Sequence, residues 1–186
     1  MTTTTVPEAL TGIYEIDPHD SRIGFTVRSL LWNVGGSFRR VEGAGCFDTN
    51  DPRRSNIALR IDAASIDTEN AKRDAHLRSD SFLAADTHPD ITFTSTAVDP
   101  ISDDRYRVTG DLTIKGTTHP VTVEVRRLGA SVDETGMPRV DFEGHTVVRR
   151  TDWGVQWNAI LEAGGLVIGN KVHVGFSVSA VRRGVD

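Results

Sequence analysis

A single cysteine, Cys46, stands in a chain of 186 residues. Neither an intramolecular disulfide nor a thiolate zinc cluster can form, and the strand-like surroundings of Cys46 make it an inert small apolar residue rather than a reactive thiol. An excess of basic charge is also missing. Against 26 Asp and Glu stand 21 Lys and Arg, a formal net charge of −5, whereas binding a phosphate backbone calls for a basic surface. The pairs Arg39-Arg40, Arg126-Arg127, Arg149-Arg150 and Arg182-Arg183 are interrupted by acidic or apolar neighbours and read as solvated strand faces. No nucleic-acid partner is expected. No apolar run approaches the roughly 20 residues of a membrane span, and the opening MTTTTVPEALTG has neither the basic nor the apolar part of a secretion signal. The expected location is the cytoplasm, without stable membrane insertion.

The usual signatures of catalysis are absent too. The six histidines (His19, His76, His88, His119, His145 and His173) show none of the HxH, HxxxH or HExxH spacings that place two imidazoles on one metal. Ser37 lies in GGSFR, which lacks the second glycine of a nucleophile elbow. Asp74 and His76, two residues apart in NAKRDAHLRSDSFL, would diverge on a helix rather than form an acid and its orienting base. No glycine-rich phosphate cradle opens a helix. The chain reads as a protein with no cofactor, no metal and no enzymatic activity, and binding becomes the default role.

What the sequence does contain is alternation with a period of two. RIGFTVRS, NIALRID, DITFTST, RYRVTGDLTIK, PVTVEVRR, RVDFEGHTVVRR and KVHVGFSVSA each set an apolar face against a polar one, the pattern of antiparallel strands with one dry side. Turn signals separate them at Asn50-Asp51-Pro52, Asp99-Pro100, Lys115-Gly116, Glu134-Thr135-Gly136 and Gly169-Asn170. A sandwich or a closed barrel satisfies such strands. Several run to ten residues or so, well beyond the usual 5–6, which favours a tall barrel. Gly110 and Gly144 fall on dry faces, either as bends at a barrel corner or as space for a lumen. The period fails twice, in short helical excursions near 68–84 and 155–165. Residues 1–12 read as a flexible tail and 13–183 as one β domain.

SIDTENAKRDAHLRSDSFLAADTHPDITFTST, VTGDLTIKGTTHPVTVEV, RRTDWGV and IGNKVHVGFSV, in that order, resemble the YceI-like family of lipid-binding proteins, and the similarity runs from about Ile13 to Arg182. The resemblance implies an extended eight-stranded antiparallel lipocalin-like barrel, commonly dimeric, with a long tunnel for a polyisoprenoid, an isoprenoid quinone or a fatty-acid derivative. Two positions depart from the family pattern. The segment Asp17-Pro18-His19-Asp20-Ser21 carries its imidazole one place early, and Ser29 replaces a family histidine.

On that frame the expected function is binding, sequestration or transport of a long-chain amphiphilic lipid. The alternatives are an enzyme acting on such a lipid through loop Asp and His residues, or a packed barrel serving as an interaction module. The expected lumen lining is the dry set Phe25, Val27, Phe38, Phe47, Leu59, Ile61, Phe93, Val108, Leu112, Val123, Phe142 and Phe176. Phe82 and Leu83 are expected to plug one end, with the charged residues before them facing solvent. Trp153, Trp157 and Leu166 are expected at the opposite opening. The head-group candidates are Arg149, Arg150 and Asp152, the aspartate having the competing role of a turn residue bonded to nearby backbone.

Overall fold

The computed structural model describes residues 10–29, 33–156 and 168–184. Within them run eleven strands: β1 (Gly12–Ile16), β2 (Arg22–Ser29), β3 (Asn33–Phe38), β4 (Val41–Phe47), β5 (Asn56–Asp62), β6 (Ile66–Asp67), β7 (Asp90–Pro100), β8 (Arg105–Ile114), β9 (Thr117–Val132), β10 (Pro138–Arg149) and β11 (Ile168–Arg182). Their order is β1-β4-β5-β7-β8-β9-β10-β11-β2-β3-β6, with β1 also paired to β11. Both β1 and β2 pair with β11, so they are halves of one strand broken at residues 17–21. The same logic joins β3 to β4 across Arg39-Arg40, and β5 to β6 across a 3-10 turn at Ala63–Ser65. Counted this way, eight antiparallel strands close into a barrel, which leaves no unpaired edge.

Two bulges explain why the apolar pattern changes phase within long strands. In β7 the register shifts between Ser95 and Ala97, so Ile91 and Phe93 point inward before it and Val98 after it. In β9, Arg127 lies opposite Phe142 and Gly129 opposite Asp141. The extra residue, Leu128, is therefore turned out and 48% exposed. Each bulge inserts one unpaired residue and swaps the two faces of the strand. Lys115 and Gly116, both at positive φ, make the two-residue turn between β8 and β9, the geometry that matches strand twist.

The antiparallel order gives the barrel two unlike ends. The lower end carries the β4–β5, β7–β8 and β9–β10 connections, and the upper end carries the long segment 68–89. That segment opens with the only α-helix among the described residues, α1 (Ala71–Arg78), whose Arg73 N–H is capped by the Asn70 side chain at 3.0 Å. Below, Leu10, Tyr14, Val140 and Ala180 form a buried cluster, and the Tyr14 hydroxyl donates to the Leu10 carbonyl at 2.7 Å. The tail expected to reach residue 12 thus stops short. Leu10 is 8% exposed and β1 begins at Gly12, because the lower core needs an apolar cap. Residues 1–9 lie outside the described residues. Asp20, one of the departures from the family pattern, serves the strand break: Arg139 bonds Asp20, Asp17 (3.3 Å) and the Ser179 hydroxyl (2.5 Å) there.

Candidate functional site

The barrel is hollow. A cavity of about 750 Å³ runs through it and is lined almost wholly by aliphatic and aromatic side chains. Every described strand contributes to its wall, and inward residues such as Phe25, Phe38, Val174 and Phe176 are only half-buried because they face this space. A barrel filled by its own side chains would leave them fully buried. All twelve residues of the expected lining reach the wall. Phe25, Val27, Phe38 and Phe47 come from β2 to β4, Leu59, Ile61 and Phe93 from β5 and β7, and Val108 and Leu112 from β8. Val123, Phe142 and Phe176 close the circuit from β9 to β11.

Glycines on the dry faces hold the lumen open. A Cβ at Gly110 would lie 2.5 Å from the Phe93 ring, one at Gly36 2.6 Å from the Phe25 ring, and one at Gly144 against the Phe176 ring. At Gly43 the same role falls to Leu59, 2.6 Å away. Each large side chain thus lies down over a glycine on the neighbouring strand instead of standing across the barrel. Of the two readings of Gly110 and Gly144, a barrel-corner bend or lumen space, the contacts favour space: the missing Cβ accommodates the Phe93 or Phe176 ring, and the ring's position decides the bore.

The ends depart from expectation. The lower end is closed by aromatics, with Phe47 in edge-on contact with Phe142 (5.4 Å between centroids), Tyr106 (6.1 Å) and Tyr14 (6.4 Å). Phe82 and Leu83 do line the cavity, but at the upper end, in one cluster with Trp153 and Val155. Trp153 is therefore not at an opposite opening. It is buried outside the cavity wall, its indole N–H donating to the Leu112 carbonyl at 2.9 Å, because the connection after β10 returns to the end that α1 covers. Trp157 and Leu166, and most of the second helical excursion, lie outside the described residues; before them the chain makes a 3-10 turn at Arg150–Trp153.

Of the head-group candidates, Arg149 and Asp152 are exposed and absent from the wall, whereas Arg150 lines it. Strand alternation continues to Arg149, which follows the inward Val148 and so points out, and the 3-10 turn then brings Arg150 inward. The stretch before Phe82 also differs from a solvated loop. Asn70, Lys72, Arg73, His76 and Leu77 line the cavity, and Asp74 is 5% exposed, accepting from the Thr68 N–H (2.9 Å) and hydroxyl (2.5 Å). Sequence reasoning missed these residues because a charged helix with no apolar stripe gives no signal of which side is covered. Arg150 is half-buried, and the loss of water lowers its pKa from the ordinary value without discharging it. Among the described residues no group of three or more His, Cys, Asp or Glu is placed to hold a metal ion.

An eight-stranded antiparallel barrel around a long apolar chamber, with a short helix over one end, is a lipocalin-like barrel in class. The YceI-like domain matches residues 14–180, and this chain belongs to that family. It is 34% identical to Protein YceI of Escherichia coli over 151 residues, covering 80% of this chain and 78% of that protein. Among solved structures, BcnA of Burkholderia cenocepacia superimposes with a TM-score of 0.78 at 23% identity, over 88% of this chain and 98% of that one. A domain from Saccharophagus degradans does so with a TM-score of 0.70 at 18% identity, over 91% and 98%. Both share the fold.

Proposed function

We propose that this protein binds a long-chain amphiphilic lipid, such as a polyisoprenoid, an isoprenoid quinone or a fatty-acid derivative, inside the barrel and sequesters or carries it. The observation that carries this reading is the apolar chamber of about 750 Å³, within the range of small-molecule sites. Each methylene moved from water into such a space contributes about 0.8 kcal/mol, from which the ordering of a flexible tail subtracts. The Saccharophagus degradans domain of the same fold is described as polyisoprenoid-binding, which supports the same class of ligand here.

Catalysis on a bound lipid is the less favoured reading, since Asp74 is committed to the Thr68 backbone and hydroxyl and does not reach the cavity wall. The dimer implied by the family resemblance belongs to the proposal, as does a location away from stable membrane insertion; no described helix is long and apolar enough to cross a membrane. Organic extraction of the purified protein followed by mass spectrometry is expected to release an isoprenoid, quinone or fatty chain. Empty extracts from several preparations, with no uptake of such chains by the extracted protein, would sink the proposal.

A further inference from the structure

The charges around the chamber are lopsided. The chain is acidic overall, at −5, yet the cavity wall includes Lys72, Arg73 and Arg150 and not one Asp or Glu. None of the ion pairs among the described residues involves any of these three cations. The nearest acid in sequence, Asp74, is turned to Thr68. Lys72 is exposed, but Arg73 and Arg150 are half-buried, and a half-buried cation facing an apolar space without a counter-charge is costly to keep and available to a ligand.

Arg150 is also held in place. Its Nε donates to the Gly169 carbonyl (3.1 Å), Nη1 to that of Val155 (2.8 Å) and Nη2 to that of Ile168 (3.3 Å). A guanidinium has five N–H donors, so these bonds fix its plane and leave donors over. Arg73 is anchored in the same manner, to the Thr68 hydroxyl (2.8 Å) and carbonyl (2.7 Å). Beside Arg150, Ser29 pairs with Ile168 across the β2–β11 ladder. Its hydroxyl is buried in a residue only 6% exposed, lines the cavity and has no hydrogen-bond partner among the described residues. A buried hydroxyl left unbonded costs free energy until something bonds it. This is the position where the sequence departs from the family histidine.

Resting on the lipid-binding reading above, we propose that the upper end of the chamber recognises an anionic head group, a carboxylate or a phosphate, through Lys72, Arg73, Arg150 and the Ser29 hydroxyl. The tail fills the apolar chamber toward Phe47, and the fixed N–H donors meet the head group's oxygens. Charge, rather than chain identity alone, then selects among amphiphiles of equal length.

The test titrates the delipidated full chain, below micelle-forming concentrations, with palmitate, hexadecyl phosphate, palmitamide and hexadecyltrimethylammonium. Both anions are expected to bind roughly tenfold or more tighter than palmitamide, with the ammonium weakest and the gap narrowing as salt is raised. The tighter anion distinguishes a phosphate source from a carboxylate one. Lys72→Gln, on an exposed helix position, is expected to shrink the anion-to-amide ratio, and Arg150→Gln to do so more strongly. If Arg150→Gln does not fold, Lys72→Gln and the salt series decide. Palmitamide or the ammonium bound as tightly as the anions, or a ratio unmoved by the variants, overturns the head-group proposal and leaves the lipid reading standing. No binding by any of the four overturns both.

Discussion

Tyr14 shows how a single residue of the lower cap responds to solvent conditions. Its ring meets Phe47 edge-on, and its hydroxyl donates to the Leu10 carbonyl. Burial raises its pKa, with the nearby Arg182 guanidinium pulling the other way. The folded state thus favours the neutral phenol more than the unfolded chain does, whose value is about 10. That contribution is fully present below about pH 10 and is lost as the pH climbs through the raised folded value. Tyr14→Phe is expected to cost about 1 kcal/mol at neutral pH through the lost hydrogen bond, and to flatten part of the alkaline fall in stability. Urea midpoints measured for both proteins up to about pH 11 check this. At this scale the sequence was least legible. Nothing in the spelling of Asp74 or Ser29 reveals that one is buried against Thr68 and the other lies in the chamber wall without a partner among the described residues. Both facts depend on which element covers them.

At the scale of the element, seven strands followed from their apolar period, but the short β1 and β6 and the glycine-bearing β3 and β4 did not. NVGGSF and VEGAGCF have glycines where the inward side chains should be, so the alternation is written in absences. The glycines become intelligible only with the neighbouring strand, where Phe25 lies over Gly36 and Leu59 over Gly43. Gly110 makes the dependence measurable. Its added methyl would meet the Phe93 ring at 2.5 Å and the Thr94 carbonyl at 2.6 Å. Gly110→Ala is therefore expected to destabilise by roughly 1–3 kcal/mol through overpacking and to push the ring into the bore. Adding Phe93→Leu should recover part of the loss, and the four stabilities of that double-mutant cycle yield the coupling between the two positions. Effects that simply add would show that ring and glycine do not act as a unit. The short helix α1 was foreseen from its breach of the period, while its cationic residues at the chamber were not.

For the molecule as a whole, what matters is that the apolar faces surround a space and do not fill it. Val174, between Thr146 and Phe25 in the sheet, faces the middle of that space. In a packed core, Val174→Trp would cost roughly 1–3 kcal/mol. In this barrel the indole has room, so thermal stability is expected to hold within about 1 kcal/mol while uptake of a fluorescent long-chain amphiphile falls sharply. A severely destabilised variant would argue instead for a filled interior. The amino-acid order by itself determined the all-antiparallel architecture, the impossibility of an intramolecular disulfide and which residues form the dry faces of the strands, because those depend on local period and residue type. Only the tertiary structure decided that Phe82, Leu83 and Trp153 share one end, that Phe47 closes the other, and that Arg150 and not Arg149 reaches the chamber. Which ends meet depends on how eight strands close upon one another, and a turn's rotation of one side chain is set by long-range packing that no local period encodes.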